Sequence, residues 1–286
     1  VINGTISSIK GLLGAALLAA FAALGGCASG NDAARALNPD PPAKMYAEAD
    51  ALMTKGKFED AAKRFEELDR DHPYAPEARR AIVMAAYAYY KAGKLPEATA
   101  SAERYTALHP GTKDACLAQH IIASSHFDEI KAPNRDQADT RKALADLKAL
   151  RTRYPDCAYA KDADNRIRVA EDTLAANEME IGRYYQKQNN FVGAINRFKA
   201  VVTDYQTTAH VEEALYRLTE CYMALGITNE AQNSAAVLGH NFPSSEWYKN
   251  AYALLQSGGL APAQDSGSWI AKAWKKFPKL SLGGPG

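Results

Sequence analysis

Six histidines and four cysteines are the first side chains to weigh in this 286-residue sequence as metal ligands or nucleophiles. Their spacing argues against both roles. His72 and His109 stand directly before Pro73 and Pro110, and His240 lies three residues before Pro243, positions that suit turns between helices. His120 and His126 are six apart, which on a helix puts them on different faces and does not make a pair of zinc ligands. There is no His-Glu-x-x-His, Gly-x-Ser-x-Gly, Walker-type glycine loop or Cys-x-x-Cys. Neighbouring carboxylates such as Glu66 with Glu67 and Asp162 with Asp164 fall in amphipathic patterns and read as solvated helix faces. The sequence therefore predicts no catalytic centre, no metal site and no cofactor. A net charge of +1, from 34 basic and 33 acidic residues, offers no electrostatic footprint for nucleic acid.

Cys27 is placed for a different chemistry. Residues 1–26 hold an uncharged start, a single Lys10, and a run from Gly11 to Leu24 of Gly, Leu, Ala and Phe. That run is shorter than the roughly 20 apolar residues a spanning helix needs, so it reads as the core of a cleavable signal peptide. Leu24-Gly25-Gly26-Cys27 resembles a bacterial lipobox. The resemblance implies cleavage before Cys27, diacylglycerol on its sulfur and a fatty acid on its new amino group. With Ala28 and Ser29 following, and no Asp, it also implies sorting to the outer membrane, at its periplasmic face. Residues 27–42 would be a lipidated, flexible linker.

Cys116, Cys157 and Cys221 would then lie in a compartment that permits disulfides. Two readings stand at this point. All three are small buried helix residues, or Cys116 pairs with Cys157, since both fall near the start of a first helix in consecutive repeats.

The positioning framework is a repeat. Gly56, Gly93, Asn189 and Gly226 align so that Ala61, Ala98, Ala194 and Ala231 follow five positions later, and Pro73, Pro110, Gln206 and Pro243 seventeen later. Gly or Asn closes a first helix in the left-handed conformation, Ala lets the second helix approach, and Pro marks the exit. Leu52, Tyr89, Tyr185 and Tyr222, four before the turn, and Phe65, Ala102, Phe198 and Ala235, nine after it, are the expected core slots. A divergent middle unit is placed by Pro155, Ala143 and Leu147, with a polar insertion at 131–136 and a long helix over 159–188.

The pattern resembles the tetratricopeptide repeat. It predicts an all-α solenoid of five hairpins over 43–257, ending in a capping helix. Residues 258–286 read as a Gly/Pro/Ser linker followed by a tail. There Trp269, Ile270, Ala273, Trp274 and Phe277 share a helical stripe beside Lys272, Lys275, Lys276 and Lys279. The tail is either disordered or an amphipathic helix for a partner or an anionic lipid surface.

With these elements in place, Tyr87-Ala88-Tyr89-Tyr90-Lys91-Ala92-Gly93, Ala100–Tyr105 and Leu108-His109-Pro110 are similar to the second repeat of the BamD family of tetratricopeptide lipoproteins. Tyr154-Pro155-Asp156, Tyr159, Asp162, Ala163, Tyr184-Tyr185 and Asn196-Arg197 resemble that family's fourth unit. The resemblance covers roughly 45–241 and implies a non-enzymatic scaffold in the β-barrel assembly (BAM) complex. Its implied partners are the POTRA domains of BamA, other BAM lipoproteins and unfolded outer-membrane proteins. The inner-face positions of the first two units are Tyr46, Asp50, Arg80, Tyr87, Tyr90 and Lys91, a set suited to an extended peptide or, for the tyrosines, to packing between helices. Arg197 is the expected BamA contact, because a guanidinium clamps a carboxylate bidentately. A different periplasmic tetratricopeptide adaptor, serving Tol-Pal or cell-wall synthesis, would share the fold.

Overall fold

The computed structural model describes residues 39–275, which form twelve helices and no strand. They pair as α1 (Pro42–Thr54) with α2 (Phe58–Asp71), α3 (Pro76–Lys91) with α4 (Leu95–Leu108), α5 (Ala115–Asp128) with α6 (Ala138–Arg153), α7 (Ala160–Lys187) with α8 (Phe191–Asp204), and α9 (Val211–Ala224) with α10 (Thr228–Asn241). Helix α11 (Glu246–Ser257) covers the end of the fifth hairpin, and α12 (Trp269–Lys275) follows it.

Four of the five hairpin turns close through a residue with positive φ: Gly56 (72°), Gly93 (74°), Asn189 (58°) and Gly226 (71°). These are the positions from which the repeat was aligned. Asn189 holds the left-handed conformation at a side-chain cost that an asparagine tolerates. Asn190 then caps α8, its Oδ1 accepting from the Gly193 amide at 3.0 Å. Ala61, Ala98, Ala194 and Ala231 are fully buried where second helices meet first ones, and Phe65, Ala102, Phe198 and Ala235 are fully buried beside them. Tyr89 and Tyr222 are buried as expected, whereas Leu52 and Tyr185 stay partly exposed.

The middle unit departs from this geometry. Its helices are joined by residues 129–137, with no left-handed residue. Buried Gln137 holds the insertion together: its Nε2 donates to the carbonyls of Ala132 and Arg135, each at 3.0 Å, while its Oε1 accepts from Thr140 at 2.7 Å. Asn177 of α7 donates to the Pro133 carbonyl at 2.6 Å, fixing the loop to the next unit. Helix α7 runs 28 residues, long enough to pack on α6 with one part and on α8 with the other.

First helices of successive units touch, α1 on α3, α3 on α5 and α5 on α7, while no second helix packs substantially on the next. Over units one to four the first helices are therefore the closer-spaced row, which is the inner side of a curved array.

The buried core falls into two large clusters, one across units one, two and α5, the other across units four and five. Between them lies a small one: Cys116, Ala123, Leu147, Leu150, Ala163 and Ile167.

The tail differs from the expectation of a flexible linker at 258–267. Residues 260–268 run along α10, where Gln232 Nε2 donates to the Ala261 carbonyl at 2.7 Å and the Asp265 amide donates to Asn233 Oδ1 at 2.6 Å. Helix α12 then packs against α10 and α8 of the same chain. The reason is local: Ile270 and the two tryptophans find apolar partners within reach of a short connection. The signal segment, Cys27 and residues 276–286, including Phe277, lie outside the described residues.

Candidate protein-docking faces

Helices α1 and α3 bring Tyr46, Asp50 and Arg80 together. The Tyr46 ring packs edge-on against Phe65 at 5.2 Å. Burial raises its phenol pKa, opposed by Arg80 and reinforced by Asp50 and Asp114. Tyr87 is half-buried on the core of the first two units. The remaining expected residues diverge. Tyr90 donates its hydroxyl to Asp128 of α5 at 2.7 Å, and Lys91 turns toward α2 with its Nζ 6.0 Å from the Phe58 ring centre. Tyr46, Tyr87 and Tyr90 are each partly buried, and all three pack against the core of the first two units.

No motif in the sequence singled out Arg166, which joins α7 to α5. Arg166, on α7, donates to Ser124 Oγ and to Asp162 Oδ2, both at 3.0 Å, and lies over the Phe127 ring at 5.1 Å. Beside it His120 stacks on Tyr159, centroids 4.4 Å apart and planes within 15°. The available signal was the Asp162/Arg166 spacing of four on a long helix; which residues of α5 they would meet was not encoded locally.

Burial first, and Arg166 second, lower the His120 pKa from its ordinary 6.5. A histidine depressed in the fold is protonated first in the unfolded chain, so its stabilisation is complete above about pH 6.5 and is lost as pH falls through the folded value. A His120→Gln variant is expected to lose less stability than the parent between about pH 7 and about pH 5. Urea midpoints at both pH values check this, and equal slopes would remove His120 from the account.

None of the described residues forms a group of three side chains able to hold a metal. His126 pairs with Asp146 at 2.8 Å, and Cys116 is bonded to Cys157. The family model described as "outer membrane lipoprotein" (YfiO) matches residues 38–238.

The chain belongs to the BamD (YfiO) family. It is 41% identical over 250 residues to a Caulobacter vibrioides protein, covering 87% of this chain and 82% of that one. It is 38% identical over 242 residues to a Rickettsia prowazekii protein, covering 85% and 96%. A Neisseria meningitidis protein is 32% identical, covering 73% and 82%. All three bear the name outer membrane protein assembly factor BamD.

In this BamD-family chain Arg197 sits on α8, partly exposed, and donates to Glu178 of α7 at 3.2 Å. The two line a shallow depression of about 350 Å³ with Tyr185, Asn190 and Asn196. A single contact through Nη1 leaves the rest of the guanidinium fork for a second acceptor. Cys116, at the start of α5, and Cys157, in the turn before α7, are 6.6 Å apart at Cα. Cys221 is buried, and burial pushes its thiol up to about 12, which leaves it unreactive in the folded chain.

Proposed function

We propose that this chain is a non-catalytic scaffold of the β-barrel assembly complex, held to the periplasmic face of the outer membrane by lipid on Cys27. Three acyl chains on one cysteine suffice for a stable anchor. Among the described residues no helix is long and apolar enough to cross a membrane, which suits that mode of attachment. Membership of the BamD family is the observation that carries the reading. The aromatic and charged side chains grouped on α1 and α3, with Arg166 of α7 beside α5, support it from the structure. Unfolded outer-membrane proteins would lie in extended form along Tyr46, Asp50, Arg80, Tyr87 and Tyr90, and onward to Arg166 and Tyr159. The POTRA domains of BamA would meet the fourth unit, with Arg197 clamping a carboxylate through Nε and Nη2 while Glu178 holds Nη1.

Affinity purification of the full lipoprotein from detergent-solubilised outer membrane tests this. Recovery of a large β-barrel protein with POTRA domains, together with further lipoproteins, is expected. Recovery of Tol-Pal or peptidoglycan-synthesis proteins in its place would overturn it. An Arg197→Glu variant is expected to bring down at least about ten-fold less of that β-barrel partner, the scale of a truncated charge-pair contact. An unchanged yield would remove Arg197 from the interface.

A further inference from the structure

Consecutive second helices of this solenoid do not pack substantially on each other, which leaves room between them. At α2 and α4 that room is an open groove, a cleft of about 680 Å³ lined by Glu66, Asp69, Arg70 and Arg104. Between α8 and α10 the equivalent space is filled by α12. Its contacts are specific in kind. The Trp269 indole N–H donates to the Tyr222 hydroxyl at 2.9 Å, and Lys199 Nζ stands 4.6 Å from the Trp269 ring centre. Ile270 is fully buried, and Trp274 meets Phe242 edge-on at 6.2 Å. Leading into the helix, Ser268 Oγ donates to Glu230 at 2.6 Å. Asn233 is 2% exposed, and its side-chain carbonyl accepts from the tail amide of Asp265. The Nδ2 of Asn233 donates to the Asn229 carbonyl at 3.0 Å, so its side-chain carbonyl gains the tail amide as partner only while the tail is seated.

Helix α12 has seven residues, too few to persist on its own in water. It is helical because the groove makes it so, which is the behaviour of a ligand. The connection from Gly258 to Ser268 has no regular structure and touches α10 through two hydrogen bonds; once those open, a free tether of that length gives an effective concentration on the order of millimolar. Such tethering keeps even a weak ligand seated, and lets a tighter one displace it.

We infer that the α8/α10 groove is a docking site for a short amphipathic helix bearing a Trp-Ile pair and a second aromatic one turn on, and that the tail is its resident occupant in cis. The tail acts as a releasable latch: a partner helix of the same pattern binds only as the latch leaves. This site is separate from the α1/α3 face, so it stands whether or not that face binds extended chains.

Two measurements test it. The first uses the full chain carrying Trp269→Ala, Ile270→Ala and Trp274→Ala, with a fluorescent peptide of residues 258–277 as probe. The open-latch chain is expected to bind the peptide at least about ten-fold more tightly than the unaltered chain does, because the tethered tail no longer competes. No binding to the altered chain up to about 100 µM, a concentration at which a micromolar site would be saturated, overturns the proposal. Loss of its helical circular dichroism overturns it too, since the tail would then be part of the array's core. The second is amide hydrogen exchange on the unaltered chain. Amides of residues 269–275 are expected to exchange faster than those of α9 and α10 by at least ten-fold, through local opening. Exchange of all three elements together, only on global unfolding, would make the latch unreleasable and end the idea.

Discussion

Replacing Cys116 and Cys157 together by alanine is expected to lower stability by about 2–4 kcal/mol and the melting temperature by roughly 10 °C. Closing a loop of 41 residues removes about 4 kcal/mol of chain entropy from the unfolded state, before any strain is counted. The location matters as much as the size. This bond ties α5 to the turn before α7 inside the smallest of the three core clusters, where the two large halves of the solenoid join. A solenoid couples its ends only through successive neighbours. Weakening that one junction is therefore expected to split a single thermal transition into two. Circular dichroism melts with and without reductant check this directly. Coincident melts, or three free thiols among Cys116, Cys157 and Cys221 in the denatured, unreduced chain, would dispose of it.

What could be read in advance was what the backbone and side-chain volume impose locally. A left-handed residue at Gly56, Gly93, Asn189 and Gly226 is a stereochemical demand, and a fully buried alanine five positions later is a demand of close packing, so both leave a mark in sequence. The long helix and the inserted loop were legible as the absence of that punctuation. The site was less so. Periodicity says which side of a helix faces inward but not which residue of another helix it meets, and so Lys91 turning to Phe58 and Arg166 reaching Ser124 and Phe127 were invisible. The aromatic stripe of the tail was visible for the same reason that its partner was not. Its amphipathic pattern is local, while Tyr222, 47 residues before Trp269, is not. Arg64 repeats the lesson: three carboxylates, Asp40, Glu48 and Glu67, converge on its buried guanidinium from positions that no motif connects.

Truncating Phe198 to alanine is expected to cost about 3–5 kcal/mol, because the ring is fully buried at the centre of the fourth unit. The same contact can be broken from the other side. A Cβ placed on Gly182 of α7 would come within 2.5–2.9 Å of three Phe198 ring atoms, closer than any carbon pair tolerates. Gly182→Leu is therefore expected to destabilise by about 1–3 kcal/mol despite the roughly 1 kcal/mol that leucine would gain over glycine in an exposed helix. The helix has a glycine there so that the phenylalanine of its neighbour can press against its backbone. If so, the two changes should compensate: in a Gly182→Leu, Phe198→Ala chain the new side chain enters the space the ring has left. Urea denaturation of the parent, both single variants and the double variant measures the coupling. A double variant more stable than the sum of the single losses by about 1 kcal/mol or more is expected, and strict additivity would show that the two positions do not share one packing site. Because Arg197 precedes Phe198 on α8, the same series also separates loss of the proposed partner contact from loss of the unit that presents it. The compensated double variant should regain partner binding along with stability, whereas Arg197→Glu should lose binding with only the small drop in melting temperature expected from setting a carboxylate beside Glu178.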